Sequence, residues 1–219
     1  MSTLRTALLA LPFVEEKPDG TLDLWAVEPS GNSAADSDRG RTYFAWFLHV
    51  MREFDAAHML LHVSVEWHGQ PDPLRTVDVK TGWTSEMAAS IRAASDDHPS
   101  LAIVSNRVFP SDLRDAALTL PFVSERADGT LNCFDVDYTG SFEESQARGR
   151  YYAALTAKFL RETDHPSFLT SLAMDADPTQ RESALRIGFL SMLTEIAASS
   201  SPRATKFAKA TYPMYEDAL

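Results

Sequence analysis

Polar and apolar positions along this chain form blocks that come round twice. The run Leu8–Glu16 is apolar through Val14 and predicts a strand. Pro18-Asp19-Gly20 follows as a turn, with Pro presetting φ and Gly accepting positive φ. Thr21–Glu28 predicts a second strand, so the pair reads as a hairpin. Trp25 and Val27 share a face of that strand by period-two alternation and are expected to pack inward. Cap residues at Ser33, Asp36 and Ser37 precede Tyr43, Trp46, Phe47, Val50 and Phe54, which recur at helical spacing.

The next apolar segment, His58–Trp67, fits two patterns. Leu61-His62-Val63-Ser64-Val65 alternates like a strand, whereas its later counterpart, Pro166–Met174, opens on a proline suited to a first helical turn. Gln70–Pro73 and Asp175–Gln180 read as loops, and helices are expected around Lys80–Ala94 and Ala184–Ala198. Asp96–Asp112 connects the two blocks, and its apolar centre, Leu101–Val104, predicts a short strand. The tail from Ser199 is polar, with Tyr212-Pro213-Met214-Tyr215 as a candidate docking segment.

The two blocks align residue by residue. Residues 4–55 recur without a gap at 113–164, with 23 identities in 52 positions. Leu11-Pro12-Phe13-Val14 returns as Leu120-Pro121-Phe122-Val123, and Asp19-Gly20-Thr21-Leu22 as Asp128-Gly129-Thr130-Leu131. Phe134 and Val136 stand where Trp25 and Val27 stand, and Tyr152, Leu155, Phe159 and Leu160 mark the second long helix. Farther on, the match resumes at an offset of 106, with Gly82-Trp83 over Gly188-Phe189. A unit of about 109 residues is domain-sized and too long for a solenoid repeat. The expected fold is therefore α+β: a tandem internal duplication of units 1–109 and 110–219, each a β-hairpin followed by two or three α-helices, related by a pseudo-twofold axis.

Composition narrows the class. With 44% hydrophobic and 23% charged residues, the chain suits a globular core and not a disordered segment. The net charge of −11 is spread: residues 1–110 carry 9 basic and 15 acidic side chains, and residues 111–219 carry 11 and 16. A surface of that sign disfavours direct nucleic-acid binding, suits a basic partner and serves solubility. The lone Cys133 excludes an intramolecular disulfide and fits a reducing cytoplasm. Arg5 with the run Ala7–Val14 resembles a leader, but its mid-chain recurrence at Ala116–Val123 marks it as part of the fold. No stretch has the length of apolar residues that a membrane span needs, so no membrane association is expected.

Candidate chemistry is sparse. Arg39-Gly40-Arg41 recurs as Arg148-Gly149-Arg150, each followed by a tyrosine, Tyr43 and Tyr152. Arginines near helix N-terminal turns can bind anions or a partner. They can equally pair with nearby acids such as Glu16 and Glu125 and fix the helix on the hairpin. An interior helix glycine costs about 1 kcal/mol against alanine, so Gly40 and Gly149 point to a close backbone approach, with the hairpin as the expected neighbour. His58 and His62 have chelating spacing if the segment is helical, but the second unit has Ser167 and Ser171 there, and no metal is expected. Arg52-Glu53 and Arg161-Glu162 read as solvated or locally paired charges. Cys133 falls within a strand and reads as an inert thiol. No phosphate loop or nucleophile elbow occurs, and no cofactor is expected.

These readings favour a non-enzymatic acidic cytoplasmic binding protein, an inhibitor or adaptor with a protein partner. The alternative is a small-molecule or anion-binding protein, or an enzyme, with Arg39, Arg41, Tyr43, Arg148, Arg150 and Tyr152 around an inter-unit cleft. Convergence of the arginines on one pocket would favour the alternative; separate, carboxylate-paired arginines would favour the first. The oligomeric state is left open.

Overall fold

The computed structural model describes residues 3–70, 72, 74–94, 98–136, 140–175 and 183–200. The candidate docking segment Tyr212–Tyr215 and parts of the loops 70–73 and 175–180 lie outside them. The described fold mixes helices with two small antiparallel hairpins. In order, the elements are α1 (Leu4–Leu9), β1 (Glu15–Glu16), β2 (Leu22–Asp23), α2 (Ser33–Phe54), α3 (Met59–His68) and α4 (Val77–Arg92). After α5 (Pro99–Ala102) come α6 (Leu113–Leu118), β3 (Ser124–Glu125), β4 (Leu131–Asn132), α7 (Phe142–Glu162), α8 (Ser167–Asp175) and α9 (Ser183–Ser199).

The strand expected over Leu8–Glu16 is mostly a helix and a turn. The Thr3 hydroxyl caps α1 by accepting the Thr6 N–H, and Val14 N–H then donates to Leu11 O at 3.1 Å. A short apolar run does not distinguish a buried helix and turn from a strand. The second strand is also shorter than expected, because Leu24 and Trp25 are both buried and alternation fails there. Asp23 Oδ1 accepts the Trp25 N–H, and the pairing survives as Ala26 N–H to Phe13 O at 2.9 Å. The turn is as expected: Gly20 and Gly129 have φ of 81° and 83°, and Asp19 and Asp128 each accept from the threonine two residues on.

Long helices begin where side chains supply acceptors. Asn32, not Ser33, Asp36 or Ser37, caps α2 by accepting the Ala35 N–H, and Ser141 with Glu144 forms a capping box on α7. Asp36 is instead buried, and both its oxygens accept the Ser30 N–H at 3.0 Å. Segment 58–67 is helical: Leu60, Val63 and Trp67 are buried at helical spacing in α3. The strand expected at Leu101–Val104 is α5 and a turn, started by His98, whose ring nitrogen accepts the Ser100 N–H.

Gly40 packs against α4 and not against the hairpin. A Cβ on Gly40 would lie 2.8 Å from the Val79 carbonyl carbon, 2.9 Å from Trp83 N, and closer still to Val79 O. Gly82 meets the backbone of Ser37 in return, so two glycines set the α2–α4 crossing. Gly149 and Gly188 stand at the crossing of α7 and α9 in the same way, against Leu185 and Gln146. Backbones this close bring Cα–H groups onto carbonyl oxygens. The approach also lets the neighbouring aromatic rings interlock: Trp83 contacts Phe13, Trp25, Phe44 and Phe47 at centroid distances of 5.2–5.5 Å. Aromatic pairs of this kind contribute about 0.5–1.5 kcal/mol each beyond burial. Phe189 holds the same position in α9, against Phe122 and Phe134.

The two halves share one buried core. Helix α4 packs against α7, α8 and α9, while α9 packs against α2 and α3. Several side-chain links cross between halves, among them His68 Nε2 with the Ala173 carbonyl at 3.1 Å and Ser100 Oγ with Met192 Sδ at 3.0 Å. Thr84 and Thr170 hydroxyls meet at 2.6 Å, Arg92 pairs with Asp164 at 2.9 Å, and Arg52 caps the end of α9.

Candidate functional site

The Arg-Gly-Arg elements lie one to two turns inside α2 and α7. Arg39 donates to the Glu28 carbonyl and to Asp36 Oδ1, each at 2.6 Å, and its guanidinium lies 6.0 Å from the Tyr43 ring centroid. Burial alone would raise the Asp36 carboxyl, but Ser30 hydrogen bonds and the Arg39 charge hold it below the ordinary carboxylate range. Arg150 forms a bidentate pair with Glu195 on α9, at 3.2 and 3.0 Å. Arg148 lies close enough to Glu144, on the first turn of α7, to favour its ionised form, and Arg41 too has an intramolecular interaction. Tyr43 and Tyr152 cover Phe13 and Phe122, with ring centroids 4.8 and 4.9 Å apart. Arg39, Tyr43, Arg150 and Tyr152 thus engage residues of their own halves, and none of the six lines either cavity described below.

Glu16 and Glu125 are not the partners of these arginines. Arg5 pairs with Glu16 at 3.0 Å and also donates to Gly20 O; Arg114 pairs with Glu125 at 2.8 Å and donates to Gly129 O. Arg5 and Arg114 are among the 23 identities, so recurrence was the signal that could have found them. Each hairpin is also tied to the following short helix, by Lys17–Glu66 at 2.7 Å and Arg126–Asp175 at 2.9 Å.

Arg52 is neither solvated nor locally paired. Its guanidinium donates to the carbonyls of Ala197, Ala198 and Ser200 and to the Ser200 hydroxyl, at 2.8–3.1 Å. These are terminal carbonyls of α9, which carry the negative end of the helix dipole. Lys80 is fully buried, donates to Trp67 O at 3.1 Å and lies 5.3 Å from the Trp67 ring centroid. Burial pushes its amine down to about 8. Burial, with Asp175 beside it, pushes the Cys133 thiol up to about 11, which leaves it an unreactive thiol at neutral pH.

One cavity lies between the halves and another beside the first hairpin. The first is a narrow apolar space of ≈ 40 Å³ bounded by Trp67, Trp83, Leu169 and Phe189. It has room for water and not for a metabolite. The second is an open groove of ≈ 300 Å³ beside the first hairpin, lined by Glu15, Asp23, Trp25, Glu28, Asp72 and Arg75. Arg75 pairs with Glu28, which leaves three carboxylates around it. Glu15 stands directly opposite Asp23 in the ladder, a like-charge pairing that destabilises a hairpin. The second hairpin has Ser124 opposite Asn132. Among the described residues no group of three or more His, Cys, Asp or Glu is placed to hold a metal, and no described helix is long and apolar enough to cross a membrane.

Comparison with protein-family models, curated proteins and solved structures finds no match to this chain.

Proposed function

We propose that the chain is a duplicated, non-enzymatic cytoplasmic binding protein that engages a basic macromolecular partner through the acidic face of its first hairpin. The observation that carries this reading is the Glu15–Asp23 ladder pair at the rim of the acidic groove. Like charges placed opposite one another cost stability in the free protein, and a cationic partner relieves that cost on binding. The separate intramolecular engagement of Arg39 and Arg150 favours this over an anion site at the inter-unit cleft. Duplication about a pseudo-twofold axis is supported by reciprocal packing: α4 meets α8 as α9 meets α3, and α4 meets α7 as α9 meets α2. In this reading the duplicated scaffold is shared and the first hairpin has acquired the binding charge.

The test is affinity capture from the native host at low salt. A stoichiometric basic protein should be retained at about 50 mM salt and released by about 500 mM, where charges are screened beyond a few ångströms. The triple variant Glu15→Gln/Asp23→Asn/Asp72→Asn should fold normally, since each amide oxygen can still accept the hydrogen bonds that Asp23 and Asp72 accept now. It should lose the partner. Capture of the same protein by the variant, or recovery of no stoichiometric protein with the wild type, would refute the proposal.

A further inference from the structure

The helical state of α3 gives its two leading histidines a geometry that the sequence left open. His58 occupies the N-cap position with helical dihedrals, φ −63° and ψ −19°, so His58 and His62 are separated by one turn of continuous helical backbone. Both side chains are exposed, and their rings meet at a centroid distance of 6.5 Å. No described residue hydrogen-bonds to either ring. The start of α3 also carries no side-chain cap, so its first turn is held by backbone alone.

We propose that His58 and His62 form a solvent-facing two-imidazole chelate for one divalent transition cation. Imidazole nitrogens bind such ions at about 2.0–2.1 Å, which places each ring centroid about 3.2 Å from the metal and two cis rings about 4.5–5.2 Å apart. The rings need to close by about 1–2 Å, a change within the rotamer freedom of exposed side chains. Two nitrogen donors with the other positions open to water suit copper(II) or nickel(II) geometry, and copper(II) heads the affinity order. The second half holds Ser167 and Ser171 at these positions, so each chain binds one ion. The bound ion bridges the uncapped first turn of α3 and steadies the helix that packs on α9 of the other half.

The experiment is calorimetric titration of the metal-stripped full chain with copper(II) chloride in a non-coordinating buffer, with electron paramagnetic resonance of the one-to-one sample. The wild type should bind one equivalent with two-nitrogen hyperfine structure, and its melting temperature should rise with the ion. His58→Ala and His62→Ala should each bind about tenfold more weakly or worse, as one arm of a bidentate site is lost. Neither should show the two-nitrogen signature, whereas His49→Ala should behave as wild type. Unchanged affinity in both His58→Ala and His62→Ala, or a wild type without a one-to-one site, would overturn the assignment. Circular dichroism of the unloaded variants checks that each is folded before titration.

Discussion

Replacing Gly40 with alanine sets two effects of opposite sign against each other. On an isolated helix the change stabilises by about 1 kcal/mol, since alanine is the best helix former and glycine among the worst. Here the added Cβ would sit 2.8 Å from the Val79 carbonyl carbon and 2.9 Å from Trp83 N, and both are backbone atoms. No rotamer change can clear them, so α2 and α4 must separate by about 1 Å, which forfeits a quarter to a half of the attraction across a packed contact. The side chains interlocked at that crossing include Phe44, Phe47, Val79 and Trp83, all buried to within 1%. At about 2–3 kcal/mol for each buried side chain, a quarter of their burial is about 2–3 kcal/mol. The net effect should be destabilisation by about 1–2 kcal/mol, or a fall in melting temperature of about 2–8 °C for a chain of this size. Gly149→Ala should behave alike, because Leu185 and Phe189 crowd it in the same way. Thermal melts followed by circular dichroism measure this directly. A rise in melting temperature in either variant would mean that the helices do not cross at their glycines.

Arg52→Ala should destabilise the protein by about 2–3 kcal/mol, the scale of charged hydrogen bonds lost from partly buried carbonyls, and Arg52→Lys should restore little because one ammonium cannot span the same acceptors. A urea midpoint for Arg52→Ala equal to wild type would contradict the cap. Lys80 predicts an alkaline gain. Its amine releases a proton near pH 8 in the folded protein and near 10.5 in the unfolded chain, so between these values the unfolded state binds more protons and stability rises with pH. Relative to Lys80→Met, the wild type should gain about 2 kcal/mol between pH 8 and 10, and parallel stability curves would show that Lys80 is not buried as a charge. Gly20→Val should cost about 1–2 kcal/mol although there is open space around it, because a β-branched residue is strained at φ 81°; an unchanged melting curve would speak against the turn.

What was legible in the chain was local. The Asp-Gly turns were readable because their chemistry lies within four residues, and α2 was readable because its apolar period runs over six turns. The Leu8–Glu16 segment does not declare its helix and turn because helix, turn and strand can all bury a short apolar segment, and the cap that starts α1, Thr3, lies upstream of it. Gly40 declared a close approach through its cost, but not its neighbour, since Val79 lies 39 residues away in sequence. Arg52 gave even less: its acceptors are about 146 residues distant, and only its recurrence at Arg161 set it apart. The acidic groove joins β1, β2 and the loop before α4, so its charges were visible in the composition while their convergence was not.

We propose that Arg39 and Arg150 of the Arg-Gly-Arg elements secure the fold rather than hold an anion. Melting of wild type and Arg150→Gln in phosphate, against chloride of matched ionic strength, tests that claim most directly. The Arg150–Glu195 pair is partly exposed, so its loss should cost no more than about 1 kcal/mol and lower the melting temperature by about 2–4 °C. Phosphate should then raise both proteins by the same small increment. An anion site would show the reverse: a variant as stable as wild type without phosphate, and a wild type alone stabilised by about 2.7 kcal/mol at a hundredfold excess over the dissociation constant. That result would contradict the account.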